Sequence, residues 1–227
     1  MRTTLAFDVY GTLIDTDGVV EALQKIIGDK AGGFSRTWRD KQLEYSFRRG
    51  LMQNYENFAV CTSQALDYTC LIYNVPLTDS EKEELLGIYR ILPAFSDVKA
   101  GLNLLQTAGF RLYAFSNGKT DAFEILLDNA DIRDLFQGVV SVDDIKTFKP
   151  SPATYCHFLR QAKATGDRAW MISSNPFDVI GAMSAGMKAA WVQRSPGAVF
   201  DPWGIEPTIT INNLLELNDG IHQHSLC

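Results

Sequence analysis

The feature that most limits what this chain can fold into is an alternation of short apolar runs with helix-length stretches. Residues 4–8, Thr-Leu-Ala-Phe-Asp, read as a buried strand that ends in a carboxylate. From residue 92 onward the pattern repeats. A helix over 98–108 stops at Gly109, which suits a left-handed cap, and a strand follows over 110–115. The spacing then predicts a helix over 120–129, a strand over 139–142, and a helix opened by Ser151-Pro152 and running to about Ala164. A strand over 169–172, a helix over 176–185 ended by Gly186, a strand over 189–192, an edge strand over 208–211 and a short last helix complete it. Strands that alternate with helices pack as a parallel sheet with helices on both faces, an α/β Rossmann-like core.

Between the first strand and residue 92 the alternation breaks and the texture is helical. Leu43, Phe47 and Leu51 recur every four residues, as core positions of an amphipathic helix would, and Ala65, Tyr68 and Leu71 suggest a second such face. Thr78-Asp79-Ser80-Glu81 is a helix start with an acidic first turn. The reading is a Rossmann-like catalytic core over 1–16 and 92–227 with an inserted all-helical cap over 17–91.

Residue usage excludes several chemistries. There are only three histidines, and two of them, His222 and His224, stand in the tail; a zinc site or a Ser-His-Asp triad has almost no material. Cys61, Cys70, Cys156 and Cys227 form no Cys-x-x-Cys pair and read as reduced thiols of a cytoplasmic protein. The net charge of −6 has no basic run, so neither nucleic acid nor a membrane surface is expected as a partner. No apolar run approaches the ~20 residues of a membrane span, and the start enters a strand directly, without the pattern of a signal peptide. What remains is carboxylate, lysine, arginine and backbone chemistry, and any anion site must be locally positive.

In a doubly wound sheet, ligands bind beyond the carboxyl ends of the strands. Four polar clusters fall at such ends: Asp8-Val9-Tyr10-Gly11-Thr12, Ser116-Asn117-Gly118, Lys149-Pro150, and Ser173-Ser174-Asn175-Pro176-Phe177-Asp178. Each alone is ordinary turn or cap chemistry. All four at the strand ends of one sheet point to a converged site with Asp8 as nucleophile.

These four clusters, in this order, resemble the haloacid dehalogenase superfamily. Tyr10, with the insertion segments 38–45 and 55–58, resembles the L-2-haloacid dehalogenase subgroup more narrowly. Superfamily phosphatases carry a second Asp where Tyr10 stands, to protonate a leaving alcohol; halide leaves without a proton. Magnesium-dependent members carry paired acids where Ser173, Ser174 and Asn175 stand, so the resemblance implies a site without metal or cofactor. The implied reaction is hydrolysis of short L-2-haloalkanoic acids to D-2-hydroxy acids and halide, through an ester of Asp8. Asp178 would be the base for water, oriented with Lys149, Ser173 and Asn175, while Thr12 would hold Asp8 and Lys149 would keep it ionised. Ser116 and the backbone N–H groups of Val9, Tyr10 and Asn117 would cradle the substrate carboxylate. Arg39, Asn117 and Phe177 would cradle the halide, Phe177 standing where many members carry Trp. Tyr10, Leu43, Phe58 and Tyr155 would line the apolar part of the pocket. The partners implied are a small 2-haloacid and water, with a homodimer as the assembly seen among relatives.

Three other readings stay open at this level: opening of a strained ring such as azetidine-2-carboxylate, a small-molecule phosphatase on the same scaffold, and a non-catalytic binding protein. The second conflicts with Tyr10, and the third predicts damaged core motifs.

Overall fold

The structure, a computed structural model, describes residues 2–226. It begins with β1, Thr4–Phe7. Four helices form the insertion that follows: α1 (Asp17–Ile27), α2 (Ala31–Met52), α3 (Phe58–Tyr73) and α4 (Asp79–Ile88). The rest runs α5 (Val98–Thr107), β2 (Arg111–Ser116), α6 (Thr120–Asn129), β3 (Gly138–Ser141), α7 (Pro152–Gln161), β4 (Ala169–Ser173), α8 (Pro176–Ser184), β5 (Lys188–Val192), β6 (Ile209–Ile211) and α9 (Leu217–Leu226).

The six strands form one parallel sheet in the order β3-β2-β1-β4-β5-β6. This is the α/β fold that the alternation requires. β1 is central, with Phe7 level with Ala114 of β2 on one side and Ile172 of β4 on the other. The chain winds outward from β1 in one direction, then returns to β4 and winds in the other. A crevice therefore opens between β1 and β4 beyond their carboxyl ends.

Side chains alternate between the two faces, as a pleated strand demands. Leu5 and Phe7 join Leu112, Ala114, Trp170 and Ile172 in one buried cluster, covered by Leu102 and Leu105 of α5, Phe123 and Leu126 of α6 and Leu217 of α9. Ala6 lies in the opposite cluster with Phe115, Met171 and Ala189, covered by Tyr155 and Phe158 of α7 and Val179 of α8. α7 stops at Gln161, short of the expected Ala164, because Lys163 takes a left-handed backbone conformation.

The inserted helices depart further from the expectation. α2 buries Phe34, Trp38, Gln42 and Ser46, not the row Leu43, Phe47 and Leu51; Leu51 is 87 % exposed. α3 buries Cys61, Thr62, Ala65, Leu66 and Thr69, while Leu71 is 76 % exposed. The reason is the contact between the two helices. Gln42 Nε2 donates to Thr62 Oγ1 at 2.5 Å and Trp38 Nε1 donates to the Thr62 carbonyl at 2.9 Å. Polar groups that satisfy one another can face inward, so hydrophobicity does not mark the inward face. α3 is capped by the Asn57 side chain, and α4 by a reciprocal Thr78–Glu81 box.

Candidate active site

β1 delivers Asp8 to the crevice and stops there. Its backbone N–H still donates to Ile172 of β4, at 3.0 Å. The chain then turns through Gly11, whose φ of 76° is open to glycine without strain. Thr12 comes back beside Asp8. Its hydroxyl accepts from the Ser174 N–H at 2.9 Å and lies 3.1 Å from Asp8 Oδ2.

β4 ends in Ser173, level with that turn. Ser173 Oγ accepts from the Asn175 N–H at 3.1 Å and donates to Asp8 Oδ2 at 3.2 Å. Asn175 Nδ2 donates to the same oxygen at 2.7 Å. Asp8 Oδ2 therefore faces three side-chain donors from two loops. Oδ1 faces one, the Lys149 ammonium at 3.3 Å.

Lys149 is buried and its Nζ has three partners: Asp8 Oδ1, Asp178 Oδ2 at 2.9 Å and the Phe115 carbonyl at 2.8 Å. Its backbone N–H is held by Asn117 Oδ1 at 3.0 Å, which ties the Lys149 loop to the end of β2. One cation thus joins two carboxylates. Asp178, in the first turn of α8, is wholly buried. Burial pushes its pKa up to about 6; Lys149 pulls it down and the Asp8 charge adds to the rise.

Tyr155 and Leu43 stand apart from the lining predicted for them. Tyr155 is fully buried behind Asp178 and donates to its Oδ1 at 2.8 Å. It comes that close because α8 carries Gly181 opposite, where a Cβ would fall 2.5 Å from the Tyr155 hydroxyl. Tyr155 is a positioning residue beneath the site rather than a pocket wall. Leu43 is half-buried and outside the cavity lining. Phe177 is outside it too, packed edge-on against Phe47 of α2 with ring centres 5.2 Å apart.

The cavity between α2–α4 and the sheet has a volume of about 450 Å³, and Tyr10, Arg39, Phe58 and Gly118 line it. Arg39 Nη1 donates to Gln42 Oε1 at 2.6 Å, and Gln42 is itself fixed by Thr62, so a buried polar chain aims the guanidinium. Tyr10 donates to the Tyr89 carbonyl at 3.4 Å. Burial raises the pKa of both phenols, that of Tyr89 to about 12, with Arg39 opposing the rise in each. Ser116 is buried at the end of β2, and its Oγ accepts from the Gly118 N–H at 3.1 Å. The backbone N–H groups of Val9 and Tyr10 have no acceptor among the described residues.

The structure thus brings Asp8, Thr12, Lys149, Ser173, Asn175 and Asp178 into one hydrogen-bonded group, with Tyr155 behind it. Arg194 belongs to the same region and was not anticipated. It follows β5, donates twice to the Thr12 carbonyl at 3.0 and 2.6 Å, and pairs with Asp97 at 2.7 Å. An arginine two residues after an apolar strand is the only sequence signal for this clamp. Gln42 and Thr62 were missed for a different reason, since buried polar pairs leave no periodic trace. Among the described residues, no three His, Cys, Asp or Glu side chains stand together as a metal site would need.

Residues 3–186 match the model of a hydrolase family, the haloacid dehalogenase-like hydrolases. The chain is 33% identical over 215 residues to an (S)-2-haloacid dehalogenase of Pseudomonas putida, covering 95% of this chain and 94% of that one. It is 35% identical over 207 residues to haloacetate dehalogenase H-2 of Moraxella sp., covering 91% and 92%. The L-2-haloacid dehalogenase of Xanthobacter autotrophicus, solved with chloropropionic acid covalently bound, superposes with a TM-score of 0.90 at 28% identity, over 98% of this chain and 99% of that one.

Proposed function

The chain belongs to the haloacid dehalogenase-like hydrolases, and on that premise we propose that it hydrolyses short L-2-haloalkanoic acids to D-2-hydroxy acids and halide. The observation that carries the mechanism is the unequal setting of the two Asp8 oxygens. Oδ2 is occupied by three donors; Oδ1 faces only Lys149 and is the nucleophile.

An Oδ1 lone pair attacks C2 of the substrate from the side opposite the halogen. The C–X bonding pair leaves with the halide, and C2 inverts. Arg39 receives the anion, and the free N–H groups of Val9 and Tyr10, with Ser116 and Asn117, take the carboxylate. In the second half, water attacks Cγ of the Asp8 ester. Asp178 accepts the proton of that water. The negative charge then develops on Oδ2, where Thr12, Ser173 and Asn175 already point, so these three side chains form an oxyanion hole for ester hydrolysis. Collapse breaks the Cγ–Oδ1 bond, the departing alkoxide takes the proton from Asp178, and the second proton of the water leaves the new Asp8 carboxyl for solvent, which restores the carboxylate. C2 is untouched in this half, so the inversion is retained in the product.

Lys149 supplies the positive charge between the two carboxylates, and the reaction is proposed to proceed without metal or cofactor. Helices α1–α4, residues 17–91, act as the cap that covers the site over a core of 1–16 and 92–227. The thiols Cys61, Cys70 and Cys156 are unpaired, which supports a cytoplasmic setting; Cys227 lies outside the described residues. The outer faces of α2 and α3 carry exposed Leu51, Met52, Leu71 and Ile72, an apolar surface suited to a second copy of the chain.

The decisive experiment is a single turnover of L-2-chloropropionate by excess enzyme in ¹⁸O-water containing a chelator. The expected product carries ordinary oxygen, and the label is found in Asp8. Label in the product of the first turnover would exclude the ester. Asp8→Asn is the inactive control.

A further inference from the structure

A three-carbon acid with one carboxylate and one halogen is small for a cavity of about 450 Å³, which lies in the range of drug-sized pockets, ~300–1,000 Å³. The cavity is also more cationic than such a substrate needs. Arg39, Arg90 and Lys119 all line it, against a single carboxylate, Glu83, in a chain whose net charge is −6. None of the three cations is within ion-pair distance of a carboxylate among the described residues. Arg39 is held by Gln42. The other two are solvent-exposed: Arg90 from the turn after α4, and Lys119 from the N-cap position of α6, next to Gly118. Arg90 lies near enough to Tyr10 to oppose the rise that burial imposes on that phenol, so its charge is felt inside the cavity. Leu86, Gly87 and Ala122 add apolar lining, and Glu83 stands one turn before Leu86 and Gly87 on α4.

We infer that this site takes 2-haloacids with a second anionic group at the far end of the chain, held between Arg90 and Lys119. The inference rests on the proposed dehalogenation and narrows its substrate class. Arg39 and the backbone donors near Asp8 hold the reacting end. The methylene chain lies along Leu86 and Ala122, and the distal carboxylate meets two cations that lie outside ion-pair distance of any carboxylate among the described residues, Lys119 acting on Asp143 only at longer range. A substrate with a methyl group at that end would leave both cations unused.

The test compares kcat/KM for L-2-chloroadipate and L-2-chlorohexanoate, which share a six-carbon chain and differ in the far end. Wild type and the double variant Arg90→Met/Lys119→Met are measured at physiological ionic strength. Wild type is expected to prefer the diacid, and the diacid-to-monoacid ratio is expected to fall about tenfold in the variant, each exposed pair contributing modestly. A ratio that does not change, with both substrates slowed equally, would mean that the cations only attract anions in general, and would overturn the inference. If neither acid nor 2-chloropropionate releases halide, the dehalogenation reading fails instead. The subsite is then judged by calorimetric binding of adipate against hexanoate. Tighter adipate binding that disappears in the variant supports it, and equal binding removes it.

Discussion

The sheet core and the helical insertion bury their residues by different rules. In the core, the packing between strands and helices away from the strand ends is largely apolar: Leu5, Phe7, Leu112 and Ile172 on one side, Phe115, Met171 and Phe158 on the other. In the insertion, Gln42, Ser46, Thr62 and Thr69 face inward beside Phe34 and Trp38, while Leu51 and Leu71 face out. Away from the strand ends, the core needs only to exclude water. The insertion has to hold a guanidinium over a cavity, and a buried amide does that only if its own hydrogen bonds are met. The insertion gives up apolar packing on its inner side for that purpose, and keeps apolar surface outside, where a second chain can cover it.

This contrast can be broken at four places, from the largest effect to the smallest. Asp178→Asn removes the proposed base from the core side while leaving Asp8 intact. Halide release should stop after one equivalent, with hydrolysis of the ester slowed about 10²–10⁴-fold; rapid-quench kinetics and the intact mass of the protein would show the trapped ester. Lys149→Met leaves two carboxylates in the core without their shared cation. The cost should be about 3–5 kcal/mol in a denaturant titration, more than any single change in the insertion. Gln42→Leu tests the polar interior of the insertion. It unties Arg39 and leaves Thr62 without its amide partner, for about 1–3 kcal/mol of stability, and KM should rise more than kcat falls. A Gln42→Leu protein that is as stable and as active as wild type would mean that the insertion packs like the core. Leu71→Glu, on the outer face, should leave the stability of the monomer within ~0.5 kcal/mol yet convert the proposed dimer to a monomer in light scattering.

The legibility of the chain follows the same division. Strands buried on both faces are apolar runs with turn residues at their ends, so their positions and the four polar clusters beyond them are visible in the sequence. Asp8, Ser173, Asn175 and Lys149 meet because the register of β1, β2 and β4 brings those ends level. The insertion was visible as helix but not as a packed object. Leu51 and Leu71 carry the periodicity of a core face and lie on the surface, while the face that is buried carries glutamine and threonine. Tyr155 has the composition of a pocket wall, but Gly181 lets it sink behind Asp178, and only the packing of α7 on α8 reveals that. Arg194 reaches Thr12 across 182 positions of sequence, a distance over which no local pattern speaks.

The single ammonium shared by two carboxylates also has a consequence for timing. While Asp8 is charged it raises the proton affinity of Asp178, whose pKa stands at about 6 in the free enzyme. Alkylation turns Asp8 into a neutral ester. The repulsion vanishes, and Lys149 is left with Asp178 as its one ionic partner. Asp178 therefore loses its proton more readily at the moment it has to act as a base, and it regains affinity when ester cleavage restores the charge on Asp8. Halide expulsion closes kcat/KM before Asp178 acts, so the acid limb belongs to kcat, where the ester accumulates, and should lie below about pH 6, the value that Asp178 has beside a charged Asp8. The first half of the reaction sets the clock for the second through nothing more than the loss of one charge.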